Sequence, residues 1–242
     1  MRIAAIIILI CLAVLAAFFL YRLVVPEKEI TVGWREDFDS VSRSGKPVIP
    51  KWWRLAKKPN TPPTSFSEVI NKKEGLSFLH MEADKASAGL VCWAKGIDLK
   101  ETPVLRWRWR VTALPEGADG REAAKDDQAI GIYAGTGTML NKKTVSYRWD
   151  TDTPKGSEGK CAYGEGTVKV KWYTLRNKDD GENKWFVEER NFAEDFKKAW
   201  GYYPRKVYLS VSCNSQYTGT RAEADLDWIE FTSVSGGAEK ND

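Results

Sequence analysis

The residues with the most evident chemical capacity lie in a strand-like stretch, Val104 to Val111, that reads VLRWRWRV. Side chains alternate faces along a strand, so Arg106, Arg108 and Arg110 share one face while Leu105, Trp107, Trp109 and Val111 share the other. The apolar set is core. Three guanidinium groups in a row repel one another and call for acids. The obvious source is KDDQ at 125–128, where Asp126 and Asp127 open the next strand, which pairs with the arginine strand if the two form a hairpin. Arg148 and Asp150, in YRWD, extend the same polar face. Two chemistries follow. One is a cross-strand ladder of ion pairs on a solvated face, which is common and worth little energy. The other is a cationic groove whose arginine forks hold the carboxylate or sulfate of a glycan. The ladder is the more ordinary of the two.

Hydrolysis of a glycosidic bond needs two carboxyl groups roughly 5 to 10 Å apart across a groove. Asp126, Asp127, Asp150, Glu188 and Glu189 could supply them. A chain with 33 acidic residues offers many such pairs, and no signature singles one out, so no catalytic residue is assigned. His80 is the only histidine and stands in an apolar strand without a Ser or Cys partner nearby, which favours a structural role. Basic residues surround Trp52 and Trp53; this loop could lie on a membrane interface, stack on sugar rings, or plug the end of the fold, the last being the simplest.

These side chains must be positioned by a chain of 242 residues, enough for one large domain. Net charge is only +4, and no Arg/Lys-rich motif reads bases or tracks phosphates, so nucleic acid is not expected as a partner. Ile3 to Tyr21 is an uncharged run of nineteen residues, long enough as a helix to match a hydrocarbon core of roughly 30 Å. Large residues stand where a cleavage site would need small ones, so the run reads as an uncleaved anchor. The expected organisation is a transmembrane anchor over 1–24, a linker over 25–33, a domain over 34–232 and a disordered tail over 233–242. The flanking charges do not fix the orientation; a signal anchor with the domain on the periplasmic or extracellular side is expected. Cys92, Cys161 and Cys213 are an odd set without metal-ligand spacing; a Cys161–Cys213 disulfide is one option and free thiols are the default.

Between 75 and 231 short alternating segments follow one another, among them GLSFLHMEA, DQAIGIYAGT, TVSYRWD, KVYLSVSCNS and ADLDWIEF. NKDDGEN carries a hairpin turn signal between two further strands. One helix interrupts them: Asn191 caps NFAEDFKKAWG, Gly201 stops it, and Phe192, Phe196 and Trp200 share a face. The pattern predicts an all-β, two-sheet antiparallel sandwich of the jelly-roll kind with one short helix, preceded by the transmembrane helix.

Several of these segments together resemble one family. The pair Asp37-Phe38, LRWRWRV (Leu105 to Val111), KDDQAIGIYA (Lys125 to Ala134), YRWD (Tyr147 to Asp150), EERN with the helix after it, and the last strands are similar to the Domain of Unknown Function 3047 family of bacterial proteins, over roughly residues 34 to 232. The resemblance implies a β-sandwich like those of carbohydrate-binding modules and carries no activity with it. Where relatives have an Asp/Thr-rich loop, this chain has CNSQYTG. In many carbohydrate-binding sandwiches the first and last strands jointly hold a structural ion. Here EDFD (Glu36, Asp37, Asp39) and DLD (Asp225, Asp227) place hard oxygens at those two positions, which makes calcium a candidate against the plainer reading of exposed surface acids. No other cofactor is expected. The expectation is a membrane-anchored module that binds a glycan without catalysis; the alternatives are a glycoside hydrolase or polysaccharide lyase, and a purely structural module.

Overall fold

The computed structural model describes residues 32–39, 52–138 and 140–234. In chain order the strands are β1 (Val32–Glu36), β2 (Arg54–Lys57), β3 (Ser65–Asn71), β4 (Leu76–Asp84), β5 (Ser87–Ala94), β6 (Val104–Ala113), β7 (Gln128–Thr138), β8 (Asn141–Trp149), β9 (Glu158–Tyr163), β10 (Val168–Arg176), β11 (Phe186–Asn191), β12 (Val207–Asn214) and β13 (Arg221–Thr232), with helix α1 (Phe192–Trp200) between β11 and β12. Two sheets pack face to face. The first runs β11-β6-β13-β4-β3, with β1 paired to the stretch of β13 beyond β4. The second runs β2-β5-β12-β7-β8-β10-β9 and departs from antiparallel pairing at β8 and β10, which are parallel.

Alternation along each strand selects what enters the core. From β6 come Leu105, Trp107, Trp109 and Val111, and from β8 come Val145, Tyr147 and Trp149, all fully buried. Their rings meet between the sheets: Trp107 stacks on Tyr147 at 5.2 Å and Trp109 meets Trp149 edge-on at 5.8 Å. Such rings are the largest apolar surfaces a chain can bury, so they dominate the energy that holds the sheets together. Helix α1 closes one end. Asn191 accepts from the Glu194 N–H, Gly201 ends the helix in the left-handed conformation, and Phe192 and Phe196 are buried. The apolar stripe thus follows from the sequence spacing, and the Phe192 ring packs edge-on against Phe231.

Two connections differ from the sequence expectation. β6 and β7 are not a hairpin: the chain between Ala113 and Gln128 crosses from one sheet to the other. Likewise NKDDGEN joins β10 in the second sheet to β11 in the first, as a crossover carrying a short 3-10 turn (Lys178–Asp180) capped by Asn177. Turn chemistry reports where the chain reverses, not which sheet receives it.

The expected fold class also needs correction at its N-terminal part. Among the described residues no helix is long and apolar enough to cross a membrane; the α-helix present, α1, has nine residues. The run expected to span, Ile3 to Tyr21, lies outside the described residues, as do most of the 25–33 linker and the tail beyond 234. The transmembrane helix, the membrane as partner and the single-pass placement with a periplasmic or extracellular domain are therefore withdrawn, and the architecture is a two-sheet, mostly antiparallel sandwich with one helix.

Candidate functional site

The crossover after β6 divides the polar residues picked out in the sequence between two opposite outer faces. Arg106, Arg108 and Arg110 cover the first sheet, and each has its own acids. Arg106 reaches Glu230 at 3.1 Å and Glu189 at 3.2 Å; Arg108 reaches Asp227 at 2.7 Å; Arg110 reaches Asp225 at 2.6 Å and Glu74 at 3.1 Å. Their guanidinium groups also lie over aromatic rings, Arg108 and Arg110 over Trp185 and Arg106 over Trp228. Apart from Glu74, in the turn between β3 and β4, the acids come from β13 and β11, the strands hydrogen-bonded to β6, so the ladder is closed within its own sheet. Every arginine of the stripe is ion-paired.

The acids nominated for calcium share in this face. Asp225 also accepts from His80 Nδ1 at 2.7 Å, and Asp37 is held by Arg35 Nε at 2.7 Å. Asp39 stands apart at the end of the described segment after β1. Glu188 accepts from Trp109 Nε1 and from Arg176 at the edge of the first sheet.

Asp126, Arg148 and Asp150 come together on the outer face of the second sheet. Arg148, on β8 between the inward-facing Tyr147 and Trp149, is 1% exposed. Its Nη2 donates to Asp126 at 2.7 Å and its Nε to Asp150 at 3.0 Å, while the Trp172 ring lies 5.4 Å from the guanidinium carbon. Burial alone would push Arg148 down, but Asp150 and Asp126 outweigh it and hold the group well above its ordinary value. The other Asp126 oxygen accepts from Tyr163 at 2.5 Å, and Thr174 donates to Asp150 at 2.9 Å. Asp127 is separate. It is fully buried and caps the loop after β12, accepting from the Tyr217 and Thr218 N–H groups at 2.9 and 2.7 Å. That bond fixes where Tyr217 stands.

Above this network lies a groove of about 540 Å³. Its floor is the outward row of β12, Tyr208, Ser210, Ser212 and Asn214, continued by Tyr133 of β7 and Thr144 of β8. Tyr163 and Asp126 line it on one side, and Tyr217, Lys58 and Pro59 on the other. Glycine makes the floor possible. A Cβ at Gly131 would lie 2.7 Å from the Tyr133 ring, and one at Gly135 would lie 2.3 Å from the Lys143 carbonyl. The phenols are tied down: Tyr133 to Gln128, Tyr208 to Thr144 and Tyr163 to Asp126. Burial pushes the Tyr133 phenol up to about 12 and raises Tyr163 further, so both remain neutral hydroxyls rather than bases at ordinary pH. Lys58 lies 4.6 Å over the Tyr217 ring and Lys142 5.6 Å over Tyr208; neither has a carboxylate partner among the described residues.

The groove can therefore stack a ring face, exchange hydrogen bonds with hydroxyls and offer two cations. Among the described residues one carboxylate lines it, Asp126, and that one is engaged by Arg148 and Tyr163. The tyrosines, Lys142 and Gln128 were not singled out in the sequence; Lys58 belongs to the basic loop around Trp52 and Trp53, for which stacking on sugar rings was one option. The signal available was the polar alternation of KVYLSVSCNS opposite the small residues of AIGIYAGT. Among the described residues Cys92, Cys161 and Cys213 are free; Cys213 faces the core, while Cys161 sits on an edge strand of the second sheet.

The family model described as a protein of unknown function, DUF3047, matches residues 51–230. No curated protein matches the chain. Among solved structures, the xyloglucanase domain of a type three effector from Sinorhizobium fredii is similar at 11% identity and a TM-score of 0.44, covering 82% of this chain and 98% of that one. A family 11 carbohydrate-binding module from Clostridium thermocellum is similar at 9% identity and a TM-score of 0.42, covering 83% and 95%. A module described for specific mannan recognition is similar at 12% identity and a TM-score of 0.36, covering 85% and 98%. Nothing about ligand or reaction follows from likeness at this level.

Proposed function

Since the chain belongs to the DUF3047 family, which supplies no activity, we propose from the groove itself that the domain binds a saccharide without catalysis, at the outer face of its second sheet. The observation that carries this reading is the set of four tyrosines, Tyr133, Tyr163, Tyr208 and Tyr217, gathered around a floor of Ser, Thr and Asn. Rings with a fixed hydroxyl offer an apolar face and a polar edge together, which is the pairing a sugar presents. Lys58 and Lys142 favour saccharides bearing carboxylate or sulfate groups.

Hydrolysis finds less support. It needs two carboxyl groups across the groove, and Asp126 is the single acid lining it among the described residues. Asp150 is fully buried against Arg148 and faces no cleft. A glycan array that includes neutral and uronic-acid oligosaccharides tests the reading. Binding is expected, and Tyr217→Ala with Lys142→Met should remove it. Absence of binding to every saccharide class, or binding indifferent to both changes, would overturn it.

A further inference from the structure

The outward row of the second sheet does not stop at the groove. Tyr208, part of the groove floor, is paired in register with Trp93 of β5. Opposed residues of an antiparallel pair stand on the same face, and the Trp93 ring meets Tyr208 edge-on at 5.8 Å. Trp93 is 52% exposed, which leaves a large apolar ring open to a partner.

Beyond this pair β5 ends and β12 has not begun. A hollow of about 450 Å³ opens there, lined by Trp93, Lys95, Ile97, Arg205 and Lys206 among others. No Asp or Glu lines it among the described residues. A second hollow shares Trp93 and Lys95 and adds Arg54; its acid, Glu36, accepts from Trp53 Nε1–H at 3.0 Å and from the Phe38 N–H at 3.2 Å. Arg54, Lys95, Arg205 and Lys206 are exposed, and none is ion-paired among the described residues. The stripe on the first sheet is the opposite case, since each of its arginines has an acid. Lys58 and Lys142 add the same sign beside the groove, so cations flank the row from Tyr217 to Trp93 at both ends. Cations of one sign beside apolar rings raise the local concentration of anions. From Asn214 to Tyr208 the row runs for about 20 Å, at the usual rise per strand residue, which is longer than a disaccharide.

We propose, resting on the groove as a saccharide site, that its ligand is a linear acidic polysaccharide bound along its length, with a second subsite at Trp93, Lys95, Arg205 and Lys206. The tyrosines and Trp93 take ring faces, and the cations at either end take the repeated carboxylate or sulfate groups. A single-stranded nucleic acid would also combine stacking with charge. The floor between the two ends, Ser210, Ser212 and Asn214, offers hydroxyls and an amide, which suit the hydroxyls of a sugar.

The test is a calorimetric titration of the full chain with oligogalacturonates of two and of about eight residues. Sulfated carrageenan oligosaccharides of the same lengths separate sulfate from carboxylate, and cello-oligosaccharides are the neutral control. The long acidic oligomer should bind at least ~10-fold more tightly than its dimer and than the neutral chain, the scale set by an anchoring aromatic. Trp93→Ala should remove that gain and leave the dimer unchanged, whereas Tyr217→Ala should weaken both lengths. Lys95→Met with Lys206→Met, at exposed positions, should weaken the long oligomer and flatten its salt dependence. Equal affinity for both lengths, or a gain that survives both the Trp93 and the lysine variants, would overturn the second subsite and leave the groove reading standing. Binding confined to the neutral oligomers would overturn the acidic class alone. A native chain that binds none of these saccharides would overturn both readings, and an oligothymidylate bound as tightly as the best of them would overturn the assignment to a polysaccharide.

Discussion

At His80 the ring meets the buried Asp225 carboxylate, and that hydrogen bond, aided by the Asp225, Glu223 and Glu82 charges, raises the histidine above its ordinary value against the effect of burial. A raised folded-state value means the protonated ring stabilises the fold. That contribution is complete below the unfolded value of about 6.5 and is lost as the pH rises through the folded one. Urea unfolding at pH 6 and pH 9 should show the native chain weakening across this window, and His80→Gln should flatten that part of the profile. Arg148 and Arg108 make a second contrast. Arg148→Met leaves Asp126 and Asp150 buried without their cation and should cost about 3–5 kcal/mol in urea unfolding. Arg108→Ala removes one partly exposed guanidinium from a single buried carboxylate, Asp227, and should cost less, about 1–3 kcal/mol. Equal costs would contradict the division between a buried network and a surface ladder. The sequence showed that Arg148 and Asp150 belong together, because they lie two apart on one strand. It could not show that both would be buried, since that depends on the loop from 115 to 127 folding over them.

The strands themselves were largely readable, because period-two alternation is local. VLRWRWRV declares its core face without help from the rest of the chain. The pairing of strands was not readable. β6 and β7 are neighbours in sequence and lie in different sheets, so the three arginines and Asp126 were assigned to one face when they occupy two. The glycines of β7 carry the information that alternation misses. Gly135 faces the Lys143 carbonyl and the Thr144 backbone so closely that any side chain must part β7 from β8. Gly135→Ala should destabilise the domain by about 1–3 kcal/mol in urea unfolding and disturb the groove floor at Thr144 and Tyr208. An unchanged midpoint would mean that the two strands can separate at no cost.

Taken whole, the molecule has two outer faces of different character. The first sheet presents a closed ion-pair lattice over Trp185 and Trp228, and the second a groove of tied tyrosines with two cations that have no carboxylate partner among the described residues. The account assigns binding to the second face and stability to the first. Isothermal titration calorimetry with an array-selected oligosaccharide compares them directly, using the native chain, Tyr217→Ala and Arg108→Ala. The account predicts a loss of ~1–2 kcal/mol or more for Tyr217→Ala, as for truncation of an anchoring aromatic, and unchanged affinity for Arg108→Ala. Affinity that falls with Arg108→Ala and survives Tyr217→Ala would contradict it.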